Sequence, residues 1–166
     1  KKTLVNNRLT DELISQSVKK GTELNVAIEQ TLKGKEMNMP EGLFFTDKDG
    51  TRRSEIRIKW WEDPSKMTYK SISVIPLEKL PEQPIELSEL KSLDFYSEDD
   101  KKVFFGHYWY QSTSPKKLSD YAACLDYSVA NKDISMGKLV AYRMNGESRL
   151  KNDHFVYVDS IYASAD

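Results

Sequence analysis

Few side chains in this chain are suited to chemistry, and the two histidines stand out first. His107 follows Gly106 directly after the apolar run Val103-Phe104-Phe105. A neutral imidazole is a good ligand for Mn, Fe or Zn, and a preceding glycine lets the backbone leave a strand sharply. Taken alone, Gly-His reads as a partly buried histidine at a strand end, satisfied by a backbone carbonyl. His154, in Asn152-Asp153-His154-Phe155, matches no ligand spacing and reads as a surface histidine. Arg52, Arg53 and Arg57 cluster in a segment of alternating polarity. Guanidinium forks suit phosphate oxygens, although a solvated strand face is the default for any one of them. Trp60, Trp61 and Trp109 could stack on bases, but aromatics at alternating spacing are more often core. Only Trp61 and Trp109 stay as stacking candidates. The single cysteine, Cys124, lies in Ala122-Ala123-Cys124-Leu125. That apolar setting points to a buried thiol in a reducing cytoplasm rather than to a nucleophile.

The elements that must position these residues fall into a helical first part and a strand-rich remainder. Thr10 and Thr22 are N-caps for two short helices, closed by Gly21 and Gly34. Leu9, Leu13, Ile14 and Val18, then Leu24, Ala27, Ile28 and Leu32, give each helix an apolar stripe. Residues 54–60 alternate, with Ile56, Ile58 and Trp60 on one face and Glu55, Arg57 and Lys59 on the other. Preceded by Leu43-Phe44-Phe45 and the turn-rich residues 46–50, they form a hairpin with one wet face. Residues 68–75 suggest another strand, and the proline-bearing residues 76–100 a loop-rich connector. Strands are then expected at 102–105, 122–130, 138–144 and 155–158, with Asn145-Gly146 as a hairpin turn. A boundary is placed at the end of the connector, dividing 1–100 from 101–166.

Composition narrows the function classes. The 166 residues suffice for one core, and 25 basic against 26 acidic side chains leave a formal charge of −1. No basic face for duplex nucleic acid and no apolar run of membrane-spanning length are present. At 39% hydrophobic and 31% charged the chain is polar for its size, which suggests that part of its core comes from elsewhere. The first residue, Lys1, is not a methionine, so the natural N-terminus is expected upstream.

Three runs taken together resemble the C-terminus of the calcineurin-like metallophosphoesterase family. They are Val103-Phe104-Phe105-Gly106-His107-Tyr108-Trp109, Ala123-Cys124-Leu125-Asp126-Tyr127-Ser128-Val129-Ala130 and Gly137-Lys138-Leu139-Val140-Ala141-Tyr142-Arg143. They are most similar to bacterial members of the serine/threonine-phosphatase-like or dinucleoside-tetraphosphatase-like branch. The resemblance extends upstream through Arg8-Leu9-Thr10-Asp11-Glu12, Phe45-Thr46-Asp47-Lys48-Asp49-Gly50 and Lys59-Trp60-Trp61. It implies an α+β fold, the C-terminal part of an α/β/β/α sandwich, with residues 1–100 a helical pair and β-hairpin inserted near the active site. It implies His107 as a ligand of one of two divalent ions (Mn, Fe, Zn or similar), about 3.5–4 Å apart, that clamp a phosphoryl group. Arg53 and Arg57 become candidates for substrate phosphate, and Tyr127 for the pocket wall. The family's Asp-x-His, Gly-Asp-x-x-Asp-Arg-Gly and Gly-Asn-His motifs are absent from these residues. The expectation is therefore an incomplete enzyme, inactive alone, whose partners are its N-terminal half and a phosphate-containing substrate. A non-catalytic binding domain built on the same half-fold is the alternative, with the Ile56, Ile58 and Trp60 face as a partner surface. Exposed sheet would in either case favour self-association.

Overall fold

A computed structural model describes residues 8–47, 50–90, 95–97, 100–131 and 136–161. Lys48 and Asp49 of the turn-rich run lie outside the described residues, as do Glu98 and Asp99 of the connector. The fold mixes short helices with small sheets and is of α+β type. No helix among the described residues is long and apolar enough to cross a membrane.

The two expected helices form where their caps stand. Helix α1, Asp11–Ser17, begins where Thr10 accepts a bond from the Leu13 amide, 3.2 Å. Helix α2, Glu23–Lys33, begins where Thr22 accepts from the Asn25 amide. The Asn25 side chain donates to the Ser17 carbonyl at 2.7 Å and ties the pair together. Only Leu13 of the predicted stripes is buried, while Leu9, Ile14, Val18 and Leu32 face solvent. The pair is thus held by capping and polar links rather than by a core of its own.

Gly34 ends α2 at φ 94, a left-handed conformation that glycine adopts without strain. A Cβ here would also lie 2.0 Å from the Tyr108 hydroxyl. Both conditions demand glycine, and they let the end of α2 lie close against Tyr108.

Strand β1, Glu36–Asn38, follows, and then β2, Phe45–Thr46, and β3, Arg52–Arg53, which pair as a hairpin. Its turn is held by Asp47, which accepts from the Thr51 amide at 2.8 Å. Strand β4, Glu55–Arg57, pairs antiparallel with β1, setting Met37 opposite Ile56. The alternation expected over residues 54–60 is present, but this segment pairs with β1 rather than forming the expected hairpin with residues 43–45, whose Phe45 pairs with Arg53 instead. Nor is its apolar face a partner surface. Ile56, Ile58 and Trp60 lie at the centre of the main core with Met37, Met39 and Ile72. Residues 68–75 are also not a strand. Thr68 and Ser71 form a capping box, and helix α3, Tyr69–Ile72, buries Tyr69 and Ile72, spaced three apart.

The connector contributes Leu80 and Ile85 to the same core, and its Tyr96 amide donates to the Trp60 carbonyl. A short helix α4, Leu87–Leu90, lies within it. Strand β5, Val103–Phe105, runs parallel to β6, Ala122–Cys124. Their Val103, Phe105, Ala122 and Cys124 pack on the same cluster, so the main core crosses residue 100.

After Leu125 the backbone changes partner. Strand β7, Asp126–Tyr127, pairs antiparallel with β8, Lys138–Tyr142, and β8 with β9, Phe155–Asp159. Ala123, Tyr127, Val140, Leu150 and Phe155 form a second, smaller core. The opposite face of β8 and β9 is uncovered: Leu139 is 59% exposed and its cross-strand partner Val158 62%. Ala141 and Val156, the next pair on that face, are exposed too.

The β8–β9 connection is not the two-residue turn expected at Asn145-Gly146; it spans residues 143–154. Glu147 organises it, accepting from the Tyr142 hydroxyl at 2.5 Å and the Asn145 amide at 2.8 Å. His154 is no surface histidine: its side chain is 14% exposed and its Nδ1 lies 3.2 Å from Glu147. The Tyr142 bond, with further help from the Asn145 amide and His154, lowers the Glu147 pKa from 4.5 to about 2.

Two predictions follow from these contacts. Gly34→Ala is expected to lower stability by about 2 kcal/mol or more, from left-handed strain plus displacement of Tyr108. Thermal or urea denaturation measures it, and an unchanged midpoint refutes it. A carboxylate held below its ordinary pKa stabilises the fold above 4.5, and that contribution is lost as pH falls toward 2. Glu147→Gln should therefore lower stability at neutral pH and flatten its decline across that acid interval, as read from urea titrations at several pH values.

Candidate functional site

The candidate site is the turn that leaves the carboxyl end of β5. Its start is held by the parallel pairing of β5 with β6, and a loop fixed at one end in this way can present side chains in a set position. Here the backbone is unusual at His107, φ 68, and at Trp109, φ 50. Gly106, expected to supply the sharp exit, has no such φ, and a Cβ there would meet only the Asp126 Cβ at 3.6 Å. The strained position is the histidine itself.

Alternation of burial explains the turn. Tyr108 is buried, with its ring 4.9 Å from Phe105 and 5.7 Å from Trp61. Its hydroxyl accepts from the Trp60 indole N–H at 3.0 Å, and burial pushes its pKa up to about 12. With Tyr108 anchored inward, His107 and Trp109 are turned out to solvent. Two charged side chains then fix the backbone on either side. Arg57 Nη1 donates to the His107 carbonyl at 3.0 Å, and its guanidinium lies 5.2 Å from the Tyr108 ring centroid. Asp126 Oδ2 accepts from the Trp109 amide at 3.2 Å, and Oδ1 from the Ser128 amide at 3.1 Å.

Of the residues singled out from sequence, His107 and Arg57 are brought together. Arg53 is engaged at the β2–β3 hairpin, where its Nε donates to Asp47 at 2.8 Å. Tyr127 is buried in the second core, its hydroxyl accepting from the Lys116 amide at 3.2 Å. It follows Asp126 on β7 and so faces the other side of the sheet. Trp61 is a core residue at 4% exposure, and Trp109 is 55% exposed. A cleft of about 460 Å³ lined in part by Trp61, Tyr96, Tyr121 and Arg149 contains no residue of the His107 turn.

Sequence reasoning missed Asp126 as an organiser of the turn. The available signal was a carboxylate inside the apolar run Ala122 to Tyr127, where a charge needs fixed partners. It missed the Arg57–His107 bond because fifty positions separate the two residues.

A complete metal centre is not formed by these side chains. Among the described residues no group of three or more His, Cys, Asp and Glu could hold a metal ion. Asp126 directs both carboxylate oxygens at backbone amides. His107 is therefore a single exposed donor. No protein-family model matches this sequence, and no curated protein or solved structure is significantly similar to it.

Cys124 is fully buried, and burial pushes its thiol up to about 12. It should resist iodoacetamide at pH 8 in the folded chain and react once urea unfolds it, as followed by mass spectrometry. Rapid labelling of the native protein would contradict the buried placement.

Proposed function

We propose that this chain is the C-terminal half of a calcineurin-like, two-metal phosphoesterase, with His107 as one metal ligand. The remaining donors would come from the N-terminal half of the same protein. One observation carries the proposal: an exposed imidazole on a left-handed residue, where the backbone leaves the end of a parallel strand. Strained backbone of this kind persists where the surroundings over-determine it, and such places cluster at functional sites.

Two further features support the same assignment. Arg57, a cation suited to phosphate oxygens, is hydrogen-bonded to the same turn. The exposed Leu139–Val158 and Ala141–Val156 pairs fit an α/β/β/α sandwich in which a second sheet would lie against them. In such an enzyme the bound ions would polarise a phosphoryl group. The residues of this chain would present His107, set the height of the turn and bring Arg57 to the substrate side. The substrate is a phosphate ester or anhydride, a phosphoprotein or a dinucleoside polyphosphate.

The second proposal, a non-catalytic binding domain, draws on the same exposed apolar pairs. It is favoured if the complete reading frame encodes no further ligand motifs.

The test uses p-nitrophenyl phosphate with Mn²⁺. The 166-residue chain is expected to show no turnover, and the product of the complete reading frame to show it. There, His107→Ala should lower kcat/KM by about a hundredfold or more, and Arg57→Ala, which also frees the His107 carbonyl, should lower kcat as well as raise KM. Robust turnover by the 166-residue chain, or full activity of His107→Ala, would remove the proposal.

A further inference from the structure

We infer that Asp126 is a positioning residue for His107: its carboxylate clamps the outer end of the turn that carries the imidazole. Among the described residues, the non-glycine positions with positive φ are His107, Trp109 and Ser128. The amides of Trp109 and Ser128 both donate to the Asp126 carboxylate, at 3.2 and 3.1 Å. One side chain thus collects two of the three strained backbone positions. The Asp126 carbonyl also accepts from the Tyr110 amide at 3.0 Å, which brings the chain back alongside β7. The span from Trp109 to Tyr110 is consequently tied to one residue at both its side chain and its backbone.

Left-handed backbone in a residue as bulky as tryptophan is unfavourable, so the turn needs a compensating interaction to keep it. A carboxylate accepting two amide N–H bonds, here at 3.2 and 3.1 Å, supplies one. Asp126 also follows the strand break at Leu125, so it stands where the backbone passes from β5 as partner to β8. Displacing its carboxylate would let Trp109 relax toward ordinary φ and loosen the turn on which buried Tyr108 sets His107 outward. Asparagine at 126 fills the same space and accepts with one oxygen only, since its NH₂ group can only donate. Glutamate keeps the charge and carries it one methylene too far.

This assignment rests on His107 being functional, and the experiment separates the two. In the 166-residue chain, Asp126→Asn and Asp126→Glu should each speed hydrogen exchange at the Trp109 and Ser128 amides by roughly tenfold or more, with the Ile58 amide unchanged. In the product of the complete reading frame, assayed on p-nitrophenyl phosphate with Mn²⁺, kcat should fall roughly tenfold to a hundredfold with KM within about twofold. Unchanged exchange at Trp109 and Ser128 overturns the clamp. Faster exchange without loss of kcat overturns the positioning role. If both variants also release the Ile58 amide, Asp126 supports the whole fold and the local role is overturned. Full activity of His107→Ala would instead sink the phosphoesterase proposal, leaving the exchange result to judge the clamp.

Discussion

The burial of Tyr108 between two exposed neighbours is the constraint around which this chain is arranged. Its hydroxyl accepts from Trp60, leaves no room for a side chain at Gly34, and its ring packs on Phe105 and Trp61. One side chain therefore joins the end of α2, the segment after β4 and the end of β5. Pulling it inward is what forces His107 and Trp109 outward at consecutive alternate positions. A buried tyrosine needs a partner for its hydroxyl, and the indole supplies it.

How much of this was legible in the sequence depends on the range of the forces involved. The helix caps at Thr10 and Thr22 were readable because a cap acts over three residues. Strands β5, β8 and β9 were readable from their apolar runs. Residues 68–75 were misjudged because their β-branched content masked a capping box closed by Ser71. Strand β1 escaped notice, since Met37 is the one buried residue in its three. At the site, His107 was marked by its position after an apolar run. Asp126 and the Arg57 contact were not, because both depend on pairings that only the folded backbone creates.

The apolar stripes divide in an instructive way. The face holding Ile56, Ile58 and Trp60 finds partners within the chain, whereas those of α1 and α2 and of the β8–β9 pair stay largely in solvent. Alternation and helical periodicity specify which side of an element is apolar, but not what covers it. The polar composition of the chain agrees with two small cores that leave sheet surface over.

The parallel pairing of β5 with β6 has a consequence for the order of assembly. Its strands are joined by residues 106–121, with no helix among them, and the Trp60–Tyr108 and Arg57–His107 bonds close still longer stretches of chain. Loop-closure entropy must be overcome before such distant contacts repay it, while the capped helices and the β2–β3 hairpin can form from local sequence. The His107 turn is thus expected to form late in folding. Changes there should mainly speed unfolding, leaving the early collapse of the chain largely as it was.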